Sequence, residues 1–504
     1  MVGTFFKRAA LKRWVLAASL CLLASSGGAI AQQTAAADAA LVFASSGDSS
    51  FDAWRVDFAR RAIAAGRKPG VVHALLDGLT PDPRIINQDQ NQAEFVRPVW
   101  DYINGAVTPG RISVGAQKRA ENALVFSRVE AKYGVDADII AGIWAMETNF
   151  GSVPLSYDAP RALATLAYDK RRRGQFEGYL TALIEMVERG YAGPNELKSS
   201  WAGAMGQPQF MPDVYLTLAA DWDGDGHRDI WNNTGDIFAS VANYLAVKGW
   251  QANQPVFEET SLPQGFDYGL ADGVARPVSE WAAMGVKKID GAPWEAANAN
   301  IPAQLFLPAG AQGPALFLYP NFGVIKRYNN SDRYALCVAL LARGFEGKGG
   351  LLRPWPTEIG ALQRPQLVEL QTLLARLGFN AGAPDGMFGS STRRAVSQFQ
   401  KANGYPADGY PTPTLLAAIR KSAGSPPVAD VARDMRPLRK AEIRDLQKTL
   451  ASLGYKLGKP TGTMTENTRN AIKAEEKRAG VEQTGKATAF ILSQARQRLR
   501  DKKG

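Results

Sequence analysis

One glutamate stands where a helix should be apolar. Between Ala137 and Phe150, Ile140, Ile143 and Trp144 recur at helical spacing, and the next position of that stripe is Glu147. A carboxyl group there is either a stripe-edge glutamate paired with an arginine or a group held in a poorly solvated pocket. Desolvation disfavours the charged form and raises the pKa, which suits a general acid near neutral pH. Asp136 is placed to cap the start of this helix and Gly151 to end it.

Three further clusters bring different chemistry. The run Ser200-Trp201-Ala202-Gly203-Ala204-Met205-Gly206-Gln207-Pro208-Gln209-Phe210-Met211-Pro212 is dense in small residues, amides and aromatics and poor in charge. Small residues let a ligand approach the backbone, and amides and hydroxyls bond to neutral hydroxyl groups, so the run suits a sugar; the bland alternative is a tight helix-packing joint. Asp221-Trp222-Asp223-Gly224-Asp225-Gly226-His227 matches the first six positions of a calcium loop, but the twelfth holds Asn232 where a bidentate glutamate belongs. Asp229 and Asp236 can compensate, with the His227 carbonyl as a further ligand. The ligand set expected is Asp221, Asp223, Asp225, His227 and Asp236, with a structural Ca²⁺ weighed against a metal-free acidic turn. Arg327-Tyr328-Asn329-Asn330-Ser331 and Tyr334 again combine rings with amides, as a sugar-stacking lining or a buried tyrosine pair would.

The composition removes most rivals. The chain has two histidines, His73 and His227, and no GxGxxG after a strand, GxxxxGK[ST] or GxSxG. Histidine-based nucleophilic triads and multi-histidine metal centres therefore have little to build on, which leaves carboxylates. Of two cysteines, Cys337 reads as a small buried apolar residue.

The elements that must position these residues follow from periodicity. Helices are expected at Trp54 to Ala65, Ser113 to Tyr133, Ala137 to Phe150, Gly174 to Arg189, Asp236 to Lys248 and Ser331 to Arg343. Between about 251 and 326, short apolar runs such as Gln304 to Leu307 and Ala315 to Leu318 are broken by Gly and Pro and read as strands. An internal repeat follows: Leu370-Gln371, Leu377-Gly378, Gly386, Thr392-Arg393, Ala395 and Thr412 recur at a constant shift (447 − 371 = 76), and each copy reads as three helices. The fold class expected is α+β, mainly α.

At the N-terminus, basic Lys7 to Arg13 precede the apolar run Trp14 to Ala24, and Ala29-Ile30-Ala31 fits a cleavage site. This is the layout of a secretory signal peptide, so a periplasmic protein is expected. Leu20 beside Cys21 argues against lipid anchoring there. Cleavage would take the formal net charge from +11 to 11 − 4 = +7.

Glu147-Thr148-Asn149-Phe150-Gly151, the Ser200 to Pro212 run, the Asp221 to His227 loop, Ser240-Val241-Ala242-Asn243-Tyr244 and Tyr328-Asn329-Asn330-Ser331 together resemble the lytic murein transglycosylase B family, in order and spacing. The resemblance implies a lysozyme-like catalytic core with a small β-containing insertion and an EF-hand-like calcium loop. It implies Glu147 as the catalytic acid and a substrate lining of Ser200, Gln209, Tyr244, Tyr328, Asn329 and Tyr334. The repeats resemble peptidoglycan-binding domains; the second has Thr461-Gly462 for Asp385-Gly386 and Glu475 for Phe399, and reads as degenerate.

The organisation expected is a signal peptide (1–31), a disordered leader (32–49), a lysozyme-like domain (50–346, insertion about 251–326) and a linker (347–360). A peptidoglycan-binding repeat (361–421), a second linker (422–436) and the second repeat (437–498) complete it. The reaction implied is cleavage between MurNAc and GlcNAc with formation of 1,6-anhydro ends, Glu147 serving first as acid and then as base, with no cofactor for catalysis. A water-consuming muramidase and a non-catalytic wall-binding scaffold are the rivals. Glycan strands are the expected partner, with cell-wall enzymes as further candidates. A monomer is expected, and a nucleic-acid partner is not, because the basic residues show no aromatic interleaving.

Overall fold

The computed structural model describes residues 41–90, 98–194, 196–424, 437–479 and 483–501. The expected signal peptide, Cys21 and most of the second linker lie outside them. The described residues are mainly helical with two small antiparallel sheets, as the sequence pattern requires.

The centre is a bundle around the Ala137–Thr148 helix, which packs on Asp332–Phe345, Pro109–Glu121, Ala123–Tyr133 and Thr234–Val247. This helix buries nearly every face: Ile140, Ala141 and Ile143 have no exposed surface. The segment expected as one helix from Ser113 to Tyr133 is two, Pro109–Glu121 and Ala123–Tyr133. Asn122 breaks it, because its side-chain amide donates to the Lys118 carbonyl (2.9 Å) and satisfies the end of the first helix locally.

The expected disordered leader is corrected for its described part. Ala44 donates to Asp77 Oδ1 (2.8 Å), and the Ala44 carbonyl accepts from Arg55 Nη2 (2.6 Å). Arg55 is 1% exposed, and a buried guanidinium requires such acceptors. Asp48 then caps Ser49–Ala64.

Two short strands, β1 (Tyr157–Asp158) and β2 (Lys198–Ser199), pair antiparallel and bring the Ser200 to Pro212 run beside the bundle. The insertion is a five-stranded antiparallel sheet of β3 (Phe257–Ser261), β4 (Arg276–Pro277), β5 (Lys287–Lys288), β6 (Pro302–Phe306) and β7 (Ala315–Leu318) in the order β4-β6-β7-β3-β5. Its own core gathers Val278, Trp281, Leu305 and Phe317.

The first repeat consists of Arg364–Arg376, Ser390–Ala402 and Pro413–Ser422, and the second of Lys440–Ser452, Glu466–Arg478 and Ala489–Asp501, each around a separate core. The expected linker 347–360 is no free spacer: Leu352 and Arg353 give their N–H groups to Glu259 of the insertion (2.7 and 2.8 Å). The first repeat docks there too. Arg393 donates to the Leu307 carbonyl (3.1 Å), and Asp408 accepts from the Ala311 N–H (2.9 Å). At Gly310 a β-carbon would stand 2.7 Å from Asp408 and Tyr410, so this approach requires glycine.

Candidate active site

Glu147 sits in the last turn of the Ala137–Thr148 helix, half-buried rather than on the outer surface. Its Oε1 accepts a hydrogen bond from the Tyr334 hydroxyl at 2.6 Å. Burial pushes the Tyr334 phenol well above its ordinary range, and the nearby Glu147 carboxylate adds to the shift. The phenol therefore stays protonated and remains a donor across any working pH. Tyr334 is 4% exposed and sits in the first turn of Asp332–Phe345, which Ser331 caps.

The helix ends earlier than expected, in three consecutive left-handed residues: Asn149 (φ 49°), Phe150 (φ 60°) and Gly151 (φ 76°). A bulky residue at positive φ costs free energy and persists only where its surroundings fix it. Here Arg111 Nε holds Asn149 Oδ1 (3.2 Å), Thr148 Oγ1 accepts from Gly151 N–H (3.2 Å), and the Phe150 ring stands edge-on to Trp144 (5.4 Å). Asp136 occupies the N-cap position but makes no capping bond, contrary to expectation. Burial pushes its carboxyl up to about 6, with Glu130, Glu346 and Asp138 adding to the shift.

The Ser200 to Pro212 run folds as a tight reversal. Ser200 exchanges backbone bonds with Ala204 and Gly203, and its Oγ accepts from Ala204 N–H (3.2 Å). Met205 and Phe210 pair across the turn. Gln209 adopts φ 53° and donates through Nε2 to the Gly206 carbonyl (2.9 Å). The Tyr328 hydroxyl donates to the Pro208 carbonyl (2.6 Å), the Tyr244 hydroxyl to the Arg327 carbonyl, and the two rings meet at 4.7 Å. Phe210 lies 5.9 and 6.0 Å from them. Asn329 follows the Pro320–Tyr328 helix and is exposed. The result is a half-buried carboxyl beside a wall of rings, amides and backbone carbonyls, which suits neutral hydroxylated ligands.

Carboxylate oxygens of Asp221, Asp223 and Asp236 lie within 4.8 Å of one another. Asp236 is 1% exposed, and its two oxygens take the N–H groups of Trp222 and Asp229, both at 2.7 Å. Burial pushes its carboxyl up, with Asp223 and Asp221 adding to the shift against those bonds. Asp225 and the His227 side chain stand outside this grouping of three carboxylates; the ligand expected from His227 is its backbone carbonyl, in the same loop. Asp225 instead accepts from the His227 N–H (2.7 Å), a bond local to the turn.

A family model described as the transglycosylase SLT domain matches residues 50–343. The chain belongs to that family. The model for a putative peptidoglycan binding domain matches residues 363–419 and 439–494 of the same chain. The chain is similar to membrane-bound lytic murein transglycosylase B of Escherichia coli (strain K12), 34% identical over 246 residues. That match covers 47% of this chain and 64% of the relative, so the chain spans less than two thirds of that relative's length. Among solved structures it is similar to SltB3 from Pseudomonas aeruginosa in complex with NAG-anhNAM-pentapeptide, with 44% identity and a TM-score of 0.71, covering 73% of this chain and 99% of that one. The Escherichia coli lytic transglycosylase Slt35 in complex with calcium gives 28% identity and a TM-score of 0.50, covering 58% and 92%.

Within the transglycosylase domain, Glu147 and Tyr334 touch directly, and Tyr328 and Tyr244 pack on each other and on the Ser200 to Pro212 reversal through Pro208 and Phe210. Ser200 and Gln209 contribute mainly to the turn itself. Sequence reasoning missed Gln207, whose partners Trp144 and Trp231 lie 63 and 24 residues away in the chain. The second repeat keeps the central amide of the first. Gln371 bonds Thr392 and the Gly386 N–H, and Gln447 bonds Thr468 and the Gly462 N–H in the same way.

Proposed function

We propose that this protein is a lytic transglycosylase that cuts the β-1,4 bond between MurNAc and GlcNAc in peptidoglycan, with Glu147 as the only acid/base. The observation that carries the reading is the Tyr334–Glu147 hydrogen bond at the foot of the ring-and-amide wall. It fixes a carboxyl by a neutral donor rather than by a second carboxylate. Most glycosidases use two carboxyl groups. Here Glu147 gives its proton to the leaving O4 of GlcNAc as the C1–O4 bond breaks. The same carboxylate then takes the proton from the MurNAc O6 hydroxyl as O6 bonds to C1. Atoms balance without water, and the intramolecular hydroxyl supplies the proximity that a second group would otherwise provide. The NAG-anhNAM-pentapeptide in the SltB3 complex, a ligand with an anhydro sugar, supports this reading.

Ser200, Gln209, Tyr244, Tyr328, Asn329 and Tyr334 form the substrate lining in this proposal. Both C-terminal repeats bind the wall, supported by the match of both to the peptidoglycan-binding model. A Ca²⁺ ion fits the three converging carboxylates of Asp221, Asp223 and Asp236. The calcium complex of Slt35 supports this. The ion would pin the loop, and no catalytic step runs through it. Periplasmic action is supported by the N-terminal sequence layout, and no helix of the described residues is long and apolar enough to cross a membrane.

The test is mass spectrometry of soluble fragments released from purified sacculi. The wild type releases fragments with anhydro ends, lighter by one water than hydrolase products. Glu147→Gln loses roughly a thousandfold in rate. Fragments carrying only reducing ends would identify a muramidase, and a variant with near-normal rate would remove Glu147 from the chemistry.

A further inference from the structure

Gln207 lies in the middle of the charge-poor reversal, yet its contacts point away from the turn. Its Oε1 accepts from the Trp144 indole N–H at 2.6 Å, and its Nε2 donates to the Trp231 carbonyl at 2.6 Å. Its backbone N–H donates to the Ile230 carbonyl (2.8 Å), and its own carbonyl accepts from Thr148 Oγ1 (3.1 Å). Both main-chain groups and both ends of the side chain are therefore used. On one side are Trp144 and Thr148, which flank Glu147 on its helix. On the other are Ile230 and Trp231, which lie in the loop between Asp221 and Asp236. The remaining contact is at Gly151, where a β-carbon would stand 2.4 Å from Gln207 Oε1, so the left-handed turn after Glu147 closes directly over this amide.

The partners also decide the orientation and chemistry of the amide. An indole N–H can only donate and a carbonyl can only accept, so one orientation satisfies both. A carboxylate of the same size would oppose the Trp231 carbonyl, and a thioether would bond neither partner well. The loop side is itself tied to the acidic cluster. Asp229 N–H donates to Asp236 Oδ2 (2.7 Å), and Trp231 N–H to Asp229 Oδ1 (2.9 Å). A continuous chain of hydrogen bonds thus runs from Asp236 through Asp229, Trp231, Gln207 and Trp144 to the turn of helix that carries Glu147.

We propose that Gln207 is a positioning residue for Glu147, clamping its helix to the Asp221–Asp236 loop so that the state of that loop sets where the carboxyl stands. This rests on the reading of Glu147 as the acid and of the loop as a cation site. Gln207 need not touch substrate; it acts through Trp144 and Thr148.

The experiment uses the full chain and two nearly isosteric variants, Gln207→Met and Gln207→Glu. Initial rates on sacculi are measured beside sacculus co-sedimentation, thermal unfolding and the indole N–H resonances of ¹⁵N-tryptophan protein, with Trp144→Phe assigning the Trp144 signal. Both variants are expected to lose roughly ten- to a hundredfold in kcat, the scale of a misplaced catalytic group, with KM and co-sedimentation within about twofold. In the wild type, Ca²⁺ titration is expected to move the Trp144 resonance, whereas in Gln207→Met the signal stays still although calorimetry shows the same Ca²⁺ affinity. Unchanged kcat in both variants overturns the proposal. So does a kcat loss matched by equal losses of binding and melting temperature, or a Trp144 signal that responds to Ca²⁺ equally in both proteins. Failure of the underlying reading looks different: an active Glu147→Gln variant dismisses the acid, and absence of Ca²⁺ binding in the wild type dismisses the cation, while the kcat of the Gln207 variants still decides whether this residue positions Glu147.

Discussion

At the scale of the residue, Tyr334 and Asp136 mark opposite uses of a buried polar group. The Tyr334 hydroxyl donates to Glu147 and costs nothing to hold neutral. Tyr334→Phe removes one hydrogen bond to a charged acceptor, worth ~1.5–3 kcal/mol, so kcat should fall roughly ten- to a hundredfold while the C-terminal repeats still hold the chain on sacculi. Steady-state kinetics with co-sedimentation checks this. Asp136 is held half-buried at the start of the same helix without a capping bond, and its carboxyl is pushed up to about 6. A folded-state pKa above the unfolded value means that this group's contribution to stability is present below about pH 4 and is lost as pH rises through about 6. Asp136→Asn keeps a good N-cap residue and removes the buried charge. It should therefore stabilise the chain at pH 7 by up to ~3 kcal/mol and have no such effect at pH 4, read from denaturant unfolding at the two pH values.

At the scale of the element, the loop from Asp221 to Asp236 and the helix it leads into form one unit. Asn233 caps Thr234–Val247, and Asp236 in its first turn reaches back to Trp222 and Asp229. Adding Ca²⁺ at a hundred times its dissociation constant should stabilise the folded chain by ~2.7 kcal/mol. Differential scanning calorimetry would show the rise in melting temperature, and Asp236→Asn should abolish it. Much of this architecture was legible in the sequence, because the Ala137–Thr148 helix declares itself by the stripe of Ile140, Ile143 and Trp144, and β6 and β7 by short apolar runs. The break at Asn122 was not, since the apolar period runs through it and only the Asn122 side chain ends the first helix. Nor were the left-handed Asn149 and Phe150, whose backbone is held by Arg111 from another helix and by the Trp144 ring of the same one. The acidic loop was found by its spacing, but which of its carboxylates converge depends on the capping turn at Asn233, which pattern alone does not fix.

At the scale of the whole molecule, the first repeat is fastened to the insertion while each repeat keeps its own core. Arg393 lies over Phe306 of the insertion and Phe388 of its own repeat (5.8 and 4.7 Å) besides bonding Leu307. Arg393→Ala should release the docking without unfolding either partner. The expected readout is a larger radius of gyration in solution scattering and faster proteolysis within 347–360, with the melting of the repeat itself little changed.

The two repeats differ at one buried position in a way that bears on how the chain assembles. The first sets Phe379 edge-on to Phe399 at 5.7 Å; the second places Tyr455 and Glu475 there, the hydroxyl donating to the carboxylate (2.6 Å) and Arg498 completing the group. Tandem copies joined in one polypeptide are prone to exchange segments as they fold. If the Glu466–Arg478 helix strayed into the first copy, Glu475 would be sealed against Phe379 with neither phenol nor guanidinium to meet it, a penalty of several kcal/mol. The substitution that makes the second copy look eroded thus acts as a key cut for one lock, which keeps each set of three helices with its own kin.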